Sequence, residues 1–209
     1  MSLFVTFEGI EGSGKSTQLG LLATHLRAAG HDVVETREPG GTPAGLALRR
    51  LLLGPEAIPL EPLAELHLYC ADRAQHVAAV IRPALEAGKI VLCDRFSDST
   101  IAYQGHGRGL DLDTVCDLDR HARDGLSPGL TVLLDCPVAE GLARARARRA
   151  QGDRFEDAPV AFHERIREGF RVLAAAEPER FHVVDATWPV DRLRTEIAAE
   201  IDRRLGRPA

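Results

Sequence analysis

The sequence predicts an α/β fold in which helices cover both faces of a five-stranded parallel sheet. Three observations carry this prediction: short apolar runs of strand length, longer helical stretches between them, and a glycine-rich turn after the first run. Strands that alternate with helices form parallel sheets that are buried on both faces. The runs predicted as strands are Leu3–Glu8, Asp32–Thr36, Ile90–Asp94, Leu130–Asp135 and Phe181–Asp185.

The stretches between these runs have helical character, and glycines before several strands are typical of helix ends. No repeat, low-complexity segment or domain-sized linker interrupts the 209 residues, so we expect one domain over 1–209. The predicted helices are Gln18–Ala29, Thr42–Leu53, Leu63–Ala87, Asp113–Arg123, Val138–Ala150, Val160–Ala176 and Val190–Leu205.

Composition excludes several classes of protein. A formal net charge of −5 argues against general nucleic-acid binding, which requires cations that neutralise phosphates. No apolar run approaches the ~20 residues of a membrane span, and the early first strand leaves no room for a signal peptide. The four cysteines lack disulfide-type pairing and metal-ligand spacing, so we expect a cytoplasmic chain with reduced thiols and no membrane partner.

The stretch Gly9-Ile-Glu-Gly-Ser-Gly-Lys-Ser16 fits the pattern G-x-x-x-x-G-K-[ST] between a predicted strand and a predicted helix. Glycines let successive backbone N–H groups turn toward phosphate oxygens, and the helix N-terminus favours the same anion. Lys15 is suited to contact the terminal phosphates of a nucleotide and Ser16 to ligate Mg²⁺. The predicted nucleotide-binding residues here are Gly9, Ile10, Glu11, Gly12, Ser13, Gly14, Lys15, Ser16 and Thr17.

Two acids near this loop have candidate roles. Glu11 lies inside a phosphate-binding loop, where it is either a surface acid or a group that orients a substrate hydroxyl or a cationic partner. Asp94 ends a buried strand, at the sheet edge where ligands bind, and is placed to hold Mg²⁺ together with Ser16. Arg95 follows it and would bind a second phosphate, although an Asp–Arg surface pair is the alternative.

Arginines repeat along the alanine-rich stretch 141–150, where Arg144 and Arg148 are four residues apart on one helical face. Like charges at that spacing cost an isolated helix about 0.2–0.5 kcal/mol, so an anion or acids nearby would relieve them. One interpretation is a solvated basic face. The other is a lid, within about 141–157, that brings arginines to transferring phosphates.

Three further segments resemble bacterial thymidylate kinases. Arg37-Glu-Pro-Gly-Gly-Thr42 is similar to the R-E-P-G-G-T loop of that family, and the segment from Asp94 to Gln104 is similar to its D-R-[FYH]-x-x-S-[ST]-x-A-[FY]-Q signature. Tyr69-Cys-Ala-Asp-Arg73 looks like the helix segment that holds the thymine. With the glycine-rich loop and the basic stretch, the resemblance covers nearly the whole chain.

The resemblance implies the P-loop nucleoside monophosphate kinase fold with a short helical lid. It also implies Mg²⁺-dependent transfer of the γ-phosphoryl group of ATP to dTMP, which yields dTDP and ADP for dTTP synthesis. The catalytic residues it implies are Lys15, Arg95, Arg148, Asp94 and Glu11. Further contacts to ATP are implied for Arg144, Arg149 and Asp185, and Arg154 is a candidate for assistance in the lid.

The same resemblance implies an acceptor site. In it Arg73 hydrogen-bonds the thymine O4, Tyr69 stacks on the ring and Tyr103 occupies the space of a ribose 2′-hydroxyl. Three arginines would bind the acceptor phosphate, and two acids, Glu38 and Glu11, would lie near the sugar. The implied acceptor-binding residues are Arg37, Glu38, Pro39, Arg49, Tyr69, Arg73, Arg95, Ser99, Thr100, Tyr103 and Gln104.

Two alternatives remain open at this point. One is a kinase for another nucleotide or deoxynucleoside, which the acceptor-site segments disfavour. The other is a P-loop regulatory ATPase; a GTP-dependent switch would carry an N-K-x-D motif, which the sequence lacks. The resemblance also implies a homodimer formed through helices that flank the sheet, including the stretch Leu63–Ala87.

Overall fold

The computed structural model describes residues 2–54, 58–147, 155 and 158–206. Its five strands form one parallel sheet in the order β2-β3-β1-β4-β5. The strands are β1 (Leu3–Glu8), β2 (Val33–Arg37), β3 (Ile90–Asp94), β4 (Leu130–Asp135) and β5 (Phe181–Asp185). The predicted fold class is thus confirmed, and only the second strand differs, beginning and ending one residue later than predicted.

Helices on both faces connect the strands. The α-helices are α1 (Lys15–Ala28), α2 (Pro43–Leu53), α3 (Pro62–His76), α4 (Arg82–Glu86), α5 (Ser97–Thr100), α6 (Leu112–Ala122), α7 (Val138–Ala147), α8 (Val160–Ala176) and α9 (Val190–Arg204). The predicted helix Leu63–Ala87 is therefore α3, a π-helical turn over Val77–Ile81, and α4. The prediction for Val138–Ala150 extends past Ala147 into residues outside the described ranges.

One helical region was not predicted. After β3 the chain forms α5 and then a π-helical segment over Ile101–Gly107. This segment packs closely on α8, where a Cβ added at Gly107 would lie 2.9 Å from the Phe162 ring. We call Ile101–Gly107 the signature π-helix, because it carries the second half of the D-R-F…Q motif.

Alternate residues of β1 pack into two separate clusters of buried side chains. Val5 and Phe7 face the larger cluster, which contains α1, α8 and α9, whereas Phe4 faces a smaller one beneath the Val77–Ile81 turn. All these side chains are almost wholly buried, as expected for a parallel sheet covered on both faces. Within the described residues, no helix is long and apolar enough to cross a membrane.

β1 is the switch point of this sheet, since the chain continues to β2 and β3 on one side of it and to β4 and β5 on the other. The carboxyl ends of β1 and β3 are therefore neighbours, with Phe7 opposite Asp94 in the register. Open α/β sheets bind ligands in the crevice at such a point. The glycine-rich loop after β1 and the Asp-Arg pair that ends β3 meet there.

Candidate active site

The glycine-rich loop joins β1 to α1 in the conformation that a phosphate cradle requires. Gly9, Gly12 and Gly14 all have positive φ angles, of 138°, 72° and 98°. Lys15, almost fully buried at the start of α1, donates to the carbonyls of Gly9 and Ile10 at 3.1 and 2.9 Å. Burial and Arg95 lower the pKa of Lys15 to about 8 against the opposing effect of nearby carboxylates. A bound phosphate would favour the charged form.

Helix α7 contacts the loop backbone directly. A Cβ on Gly12 would lie 1.9 Å from the carbonyl oxygen of Gly141, and a Cβ on Gly141 would lie 2.6 Å from the carbonyl oxygen of Glu11. Both separations are far below van der Waals contact, so this close approach requires glycine at both positions. The start of the predicted lid is thereby packed against the phosphate loop.

Ser16 and Asp94 meet where the resemblance implies a magnesium ion. The Ser16 hydroxyl donates to Asp94 Oδ2, which joins the first turn of α1 to the end of β3. A hydroxyl and a carboxylate are the hard oxygen ligands that Mg²⁺ prefers, usually with water and substrate phosphates completing the shell. These two residues fit the ion.

Arg95 links the phosphate loop to the signature π-helix. Its φ of 70° is in the left-handed region, which is uncommon for a residue with a side chain. The guanidinium donates to Gly9 O at 2.9 Å, Ser99 Oγ at 3.0 Å and Glu11 Oε1 at 3.1 Å. It also lies 4.9 Å from the centre of the Tyr103 ring, whose hydroxyl donates to the same Glu11 oxygen. Strained backbone held by this many partners is typical of a functional position.

Arg73 lies at the floor of the cavity with 1% of its surface exposed. Its guanidinium donates to Glu38 Oε2 at 2.9 Å, to Asp119 Oδ1 at 2.7 Å and to Thr100 Oγ1 at 2.9 Å. These bonds use three of its five N–H groups. Burial alone would lower the pKa of Arg73, but Glu38 and Asp119 raise it above the usual range, so the guanidinium stays charged.

One cavity of about 220 Å³ collects the predicted acceptor residues. All eleven residues expected to bind the acceptor line it, and so do four of the five predicted catalytic residues. The lining residues are Glu11, Gly12, Lys15, Ser16, Arg37, Glu38, Pro39, Arg49, Leu53, Tyr69, Arg73, Asp94, Arg95, Phe96, Ser99, Thr100, Tyr103, Gln104 and Phe155.

Other predicted residues lie elsewhere. Arg144 and Asp185 do not line this cavity: Arg144 donates to the carbonyl of Ala186 at 2.8 Å and pairs with Glu140. Asp185 accepts from the backbone N–H and the hydroxyl of Thr187 at 2.9 and 2.7 Å. Arg144 and Asp185 therefore both lie beside the end of β5. Arg148, Arg149 and Arg154 lie outside the described residues.

The sequence did not single out several residues that hold this site. Phe155 lines the cavity and contacts Tyr103 edge to face, with ring centres 5.4 Å apart. Asp119 bonds Arg73, and Glu65 accepts from the Gln104 amide at 2.7 Å. One weak signal could have identified Asp119 and Glu65: each is an acid at a position that the helical periodicity assigns to the buried face. His163 and Glu8 lie in otherwise ordinary core patterns.

Comparisons with known proteins identify the family of this chain. A family model described as thymidylate kinase matches residues 7–197. The thymidylate kinase of Deinococcus radiodurans is 56% identical over 202 residues, which cover 97% of both chains, and that of Desulfovibrio desulfuricans is 53% identical over 98% of this chain and 99% of its own. The crystal structure of thymidylate kinase from Ehrlichia chaffeensis superposes with a TM-score of 0.79 at 37% identity, covering 96% of this chain and 98% of that one. The resemblance is confirmed and the alternatives are set aside: the chain belongs to the thymidylate kinase family, enzymes that phosphorylate dTMP to dTDP with ATP as donor.

Proposed function

We propose that the 220 Å³ cavity is the dTMP site of this kinase and that the glycine-rich loop at its mouth holds the triphosphate of ATP. The observation that carries the proposal is the convergence of eleven residues, drawn from four separate sequence segments, on one cavity that also contains Lys15 and Asp94. Arg73 and Thr100 would contact the base edge, and Tyr69 would stack on the ring. Arg37, Arg49 and Arg95 would bind the acceptor phosphate.

Glu11 has a specific role in this proposal. Its Oε1 accepts from Arg95 and Tyr103, and all three residues line the cavity. We assign Glu11 to the sugar of the acceptor, where a carboxylate oxygen would accept from the 3′-hydroxyl. Tyr103, whose hydroxyl is fixed by the same carboxylate, would fill the space of a 2′-hydroxyl.

Phosphoryl transfer in this cavity needs positioning and cations more than a base. The second pKa of a phosphate monoester is near ~6, so dTMP presents a charged oxygen nucleophile at neutral pH. Lys15 and Arg95 would hold the two sets of phosphates together and spread the charge of the transferring group. Ser16 and Asp94 would hold Mg²⁺, which would supply charge neutralisation at the donor phosphates.

The roles that we propose for the lid arginines rest on the sequence alone. Arg148 is assigned to the transferring phosphoryl group, with Arg149 assisting and Arg144 and Asp185 beside the donor base. Replacement of Arg148 by Ala should lower kcat by at least a hundredfold and change the dissociation constant of dTMP little, because arginines at this position stabilise charge in the transition state. Wild-type turnover would refute the assignment.

The acceptor assignment is tested by an ADP-release assay with dTMP, dUMP, thymidine and no acceptor, each with and without Mg²⁺. We expect rapid turnover with dTMP, slower turnover with dUMP, and background with thymidine, which lacks the phosphate that the arginines would bind. Turnover of thymidine equal to that of dTMP would contradict the assignment. Full activity in EDTA would contradict the metal site.

We also propose a homodimer in the cytoplasm. The outer face of α3 exposes Leu63, His67, Ala71 and Ala74, and α3 lies in the stretch through which the family resemblance implies a symmetric dimer. The four cysteines are free thiols, which fits a reducing compartment. Sedimentation should give a dimer, and Ala74→Glu should dissociate it, whereas Ala199→Glu on the exposed side of α9 should not. A monomeric wild-type protein would refute the proposal.

A further inference from the structure

His163 is wholly buried on α8, beside the glycine-rich loop. Its Nδ1 lies 3.3 Å from Oε2 of Glu11, within ion-pair distance. That pair is not aligned as a hydrogen bond, and both ring nitrogens and the Glu11 Oε2 are without hydrogen-bond partners among the described residues. Buried polar atoms are paired in the great majority of cases, so the two unpaired atoms that face each other at this contact, Nδ1 of His163 and Oε2 of Glu11, need an explanation.

The other partners of Glu11 explain why Oε2 matters. Arg95 and Tyr103 both hold Oε1, and Lys15 lies near the carboxylate on the loop itself. Burial alone would raise the pKa of Glu11, but His163, Arg95, Lys15 and Tyr103 together hold it at about 2. The group is therefore ionised at neutral pH, and the carboxylate presents an Oε2 that requires a donor.

The position of the His163 ring fixes its proton. If Nδ1 were unprotonated, its lone pair would face an anionic oxygen at 3.3 Å, which is repulsive. A proton on Nδ1 converts the same contact into an attraction and, after a small rotation of either side chain, into a charge-assisted hydrogen bond. Oε1 of Glu11 then accepts from Arg95 and from Tyr103 of the signature π-helix, and Oε2 accepts from His163 of α8.

We infer that His163 is a positioning residue for the acceptor site: its Nδ1–H holds Glu11 in the orientation that accepts the 3′-hydroxyl of the acceptor sugar. This inference rests on the role proposed above for Glu11. His163 does not line the cavity, so it acts through Glu11 and not on the nucleotide. The sequence gives no signal for it, because the two residues are about 150 positions apart and belong to unrelated motifs.

Two substitutions separate positioning from packing. His163→Phe preserves an aromatic ring of similar size beside Phe162 but removes the donor, whereas His163→Asn leaves a gap but places an amide N–H near the position of Nδ1. If His163 only fills space, Phe is the better replacement. If it donates to Glu11, Asn is the better one.

The measurement is steady-state kinetics with dTMP and with its 3′-deoxy analogue, together with thermal unfolding. We expect His163→Phe to raise the KM for dTMP about tenfold, the effect of one charge-assisted hydrogen bond, with kcat within about threefold of wild type. The preference for dTMP over the 3′-deoxy analogue should fall by a similar factor. This ratio does not depend on the fraction of folded enzyme, so it remains valid if a variant is unstable.

His163→Asn should recover most of this preference. Any other order, with Phe equal to or better than Asn, overturns the inference. In the Glu11→Gln background His163→Phe should change the preference for dTMP little, because the carboxylate that His163 holds is gone. If the effects of the two substitutions on this preference were fully additive, the inference would also be overturned. A wild-type preference in Glu11→Gln alone would instead show that the assignment of Glu11 fails.

The chain offers a matched control. His25 also contacts a carboxylate, with Nε2 at 3.0 Å from Asp202 Oδ2, at the end of α1 remote from the cavity. His25→Phe removes a histidine–carboxylate contact at a more exposed position and should leave the KM for dTMP and the 3′-hydroxyl preference unchanged. An equal loss in His25→Phe would attribute the His163 effect to general destabilisation and overturn the inference.

Discussion

At the scale of single residues, the cavity depends on charges that are buried in pairs. Arg73 is held by Glu38 and Asp119, and Asp119 in turn accepts from Ser97 and from Arg123 at 3.0 Å. An isolated buried charge is very costly, but a fully hydrogen-bonded network is rigid. The guanidinium that would recognise the base is therefore fixed before the nucleotide binds.

Asp119→Asn should weaken this network. The amide can still accept from Arg73, but it removes the negative charge and cannot accept from all three donors. We expect about 1–3 kcal/mol of lost stability and a several-fold increase in the dissociation constant of dTMP. Chemical denaturation and calorimetry measure the two effects. Asp117→Asn, two residues earlier on the exposed face of α6, alters an exposed pair with Arg120 and should be neutral.

Glu8 is a second buried acid, at the end of β1, and accepts from the Phe96 N–H at 2.7 Å and the Ser99 hydroxyl at 2.5 Å. Burial, assisted by Asp98, raises its pKa from 4.5 to about 8. Because the folded state then binds a proton that the unfolded state has released, stability should fall as the pH rises from about 4.5 to about 8. One such group changes the free energy of unfolding by at most about 1.4 kcal/mol per pH unit.

Glu8→Gln should remove this component of the pH dependence. The neutral amide resembles the protonated acid, so the variant should be close to wild type in stability near pH 5 and relatively more stable near pH 8. Urea unfolding at both pH values gives the comparison. A difference between wild type and variant that is the same at pH 5 and pH 8 would show that Glu8 does not titrate in this window.

The sequence identified some of these residues and missed others for a physical reason. Lys15, Ser16 and Asp94 were predicted because loop, helix start and strand end are local patterns with fixed spacing. Glu8 bonds Phe96, Asp119 bonds Ser97 and His163 contacts Glu11, and these partners lie between 22 and about 150 positions away. No periodicity encodes such distances, so only the folded chain brings those partners together.

At the scale of elements, the signature π-helix shows where local propensity fails. Its residues Ile101–Gly107 include two glycines and a β-branched residue, all of which are weak helix formers. Tertiary packing forms it instead: a Cβ on Gly105 would lie 2.5 Å from Leu112, and one on Gly107 would lie 2.9 Å from Phe162. π-Helical turns of this kind are frequent at functional sites, and this one carries Tyr103 and Gln104 into the cavity.

The contact between α7 and the glycine-rich loop gives a prediction for a whole element. Gly141→Ala places a methyl group 2.6 Å from the Glu11 carbonyl, so α7 must shift away from the loop. We expect kcat to fall at least tenfold and stability to fall by about 1–3 kcal/mol, the cost of overpacking. Gly20→Ala in α1 is the control, because among the described residues no atom outside the neighbouring helix backbone lies within 4 Å of its added Cβ.

That control should retain full activity and gain up to about 1 kcal/mol from better helix propensity. Wild-type kcat in Gly141→Ala would mean that the position of α7 against the loop does not matter for catalysis. The experiment thus separates the effect of an added methyl group in a helix from the effect of moving this helix.

At the scale of the whole molecule, the fold class followed from the alternation of strands and helices, but the strand order did not. Five parallel strands can be arranged in several orders, and the sequence contains no pattern that selects β2-β3-β1-β4-β5. The order is decided by which faces pack together. It matters for function, since it places the ends of β1 and β3 side by side and so brings two distant motifs into one crevice.

The charge of the molecule is also unevenly distributed. The chain has a net charge of −5, yet the described residues that line the cavity include five cations and three acids. The cations are Lys15, Arg37, Arg49, Arg73 and Arg95, and the acids are Glu11, Glu38 and Asp94. A positive cleft in an acidic protein attracts anionic substrates and repels them elsewhere, so capture of dTMP should depend on ionic strength.

We expect kcat/KM for dTMP to fall several-fold between about 20 and 200 mM KCl, because the Debye length shortens from roughly 20 to 7 Å over that range. Arg37 is exposed at the mouth of the cavity, so Arg37→Gln should reduce both kcat/KM and the steepness of its salt dependence. Arg194→Gln, on the exposed face of α9, removes the same charge far from the cavity and should leave the slope unchanged. A salt dependence equal in all three proteins would show that net charge, and not its arrangement in the cleft, governs substrate capture.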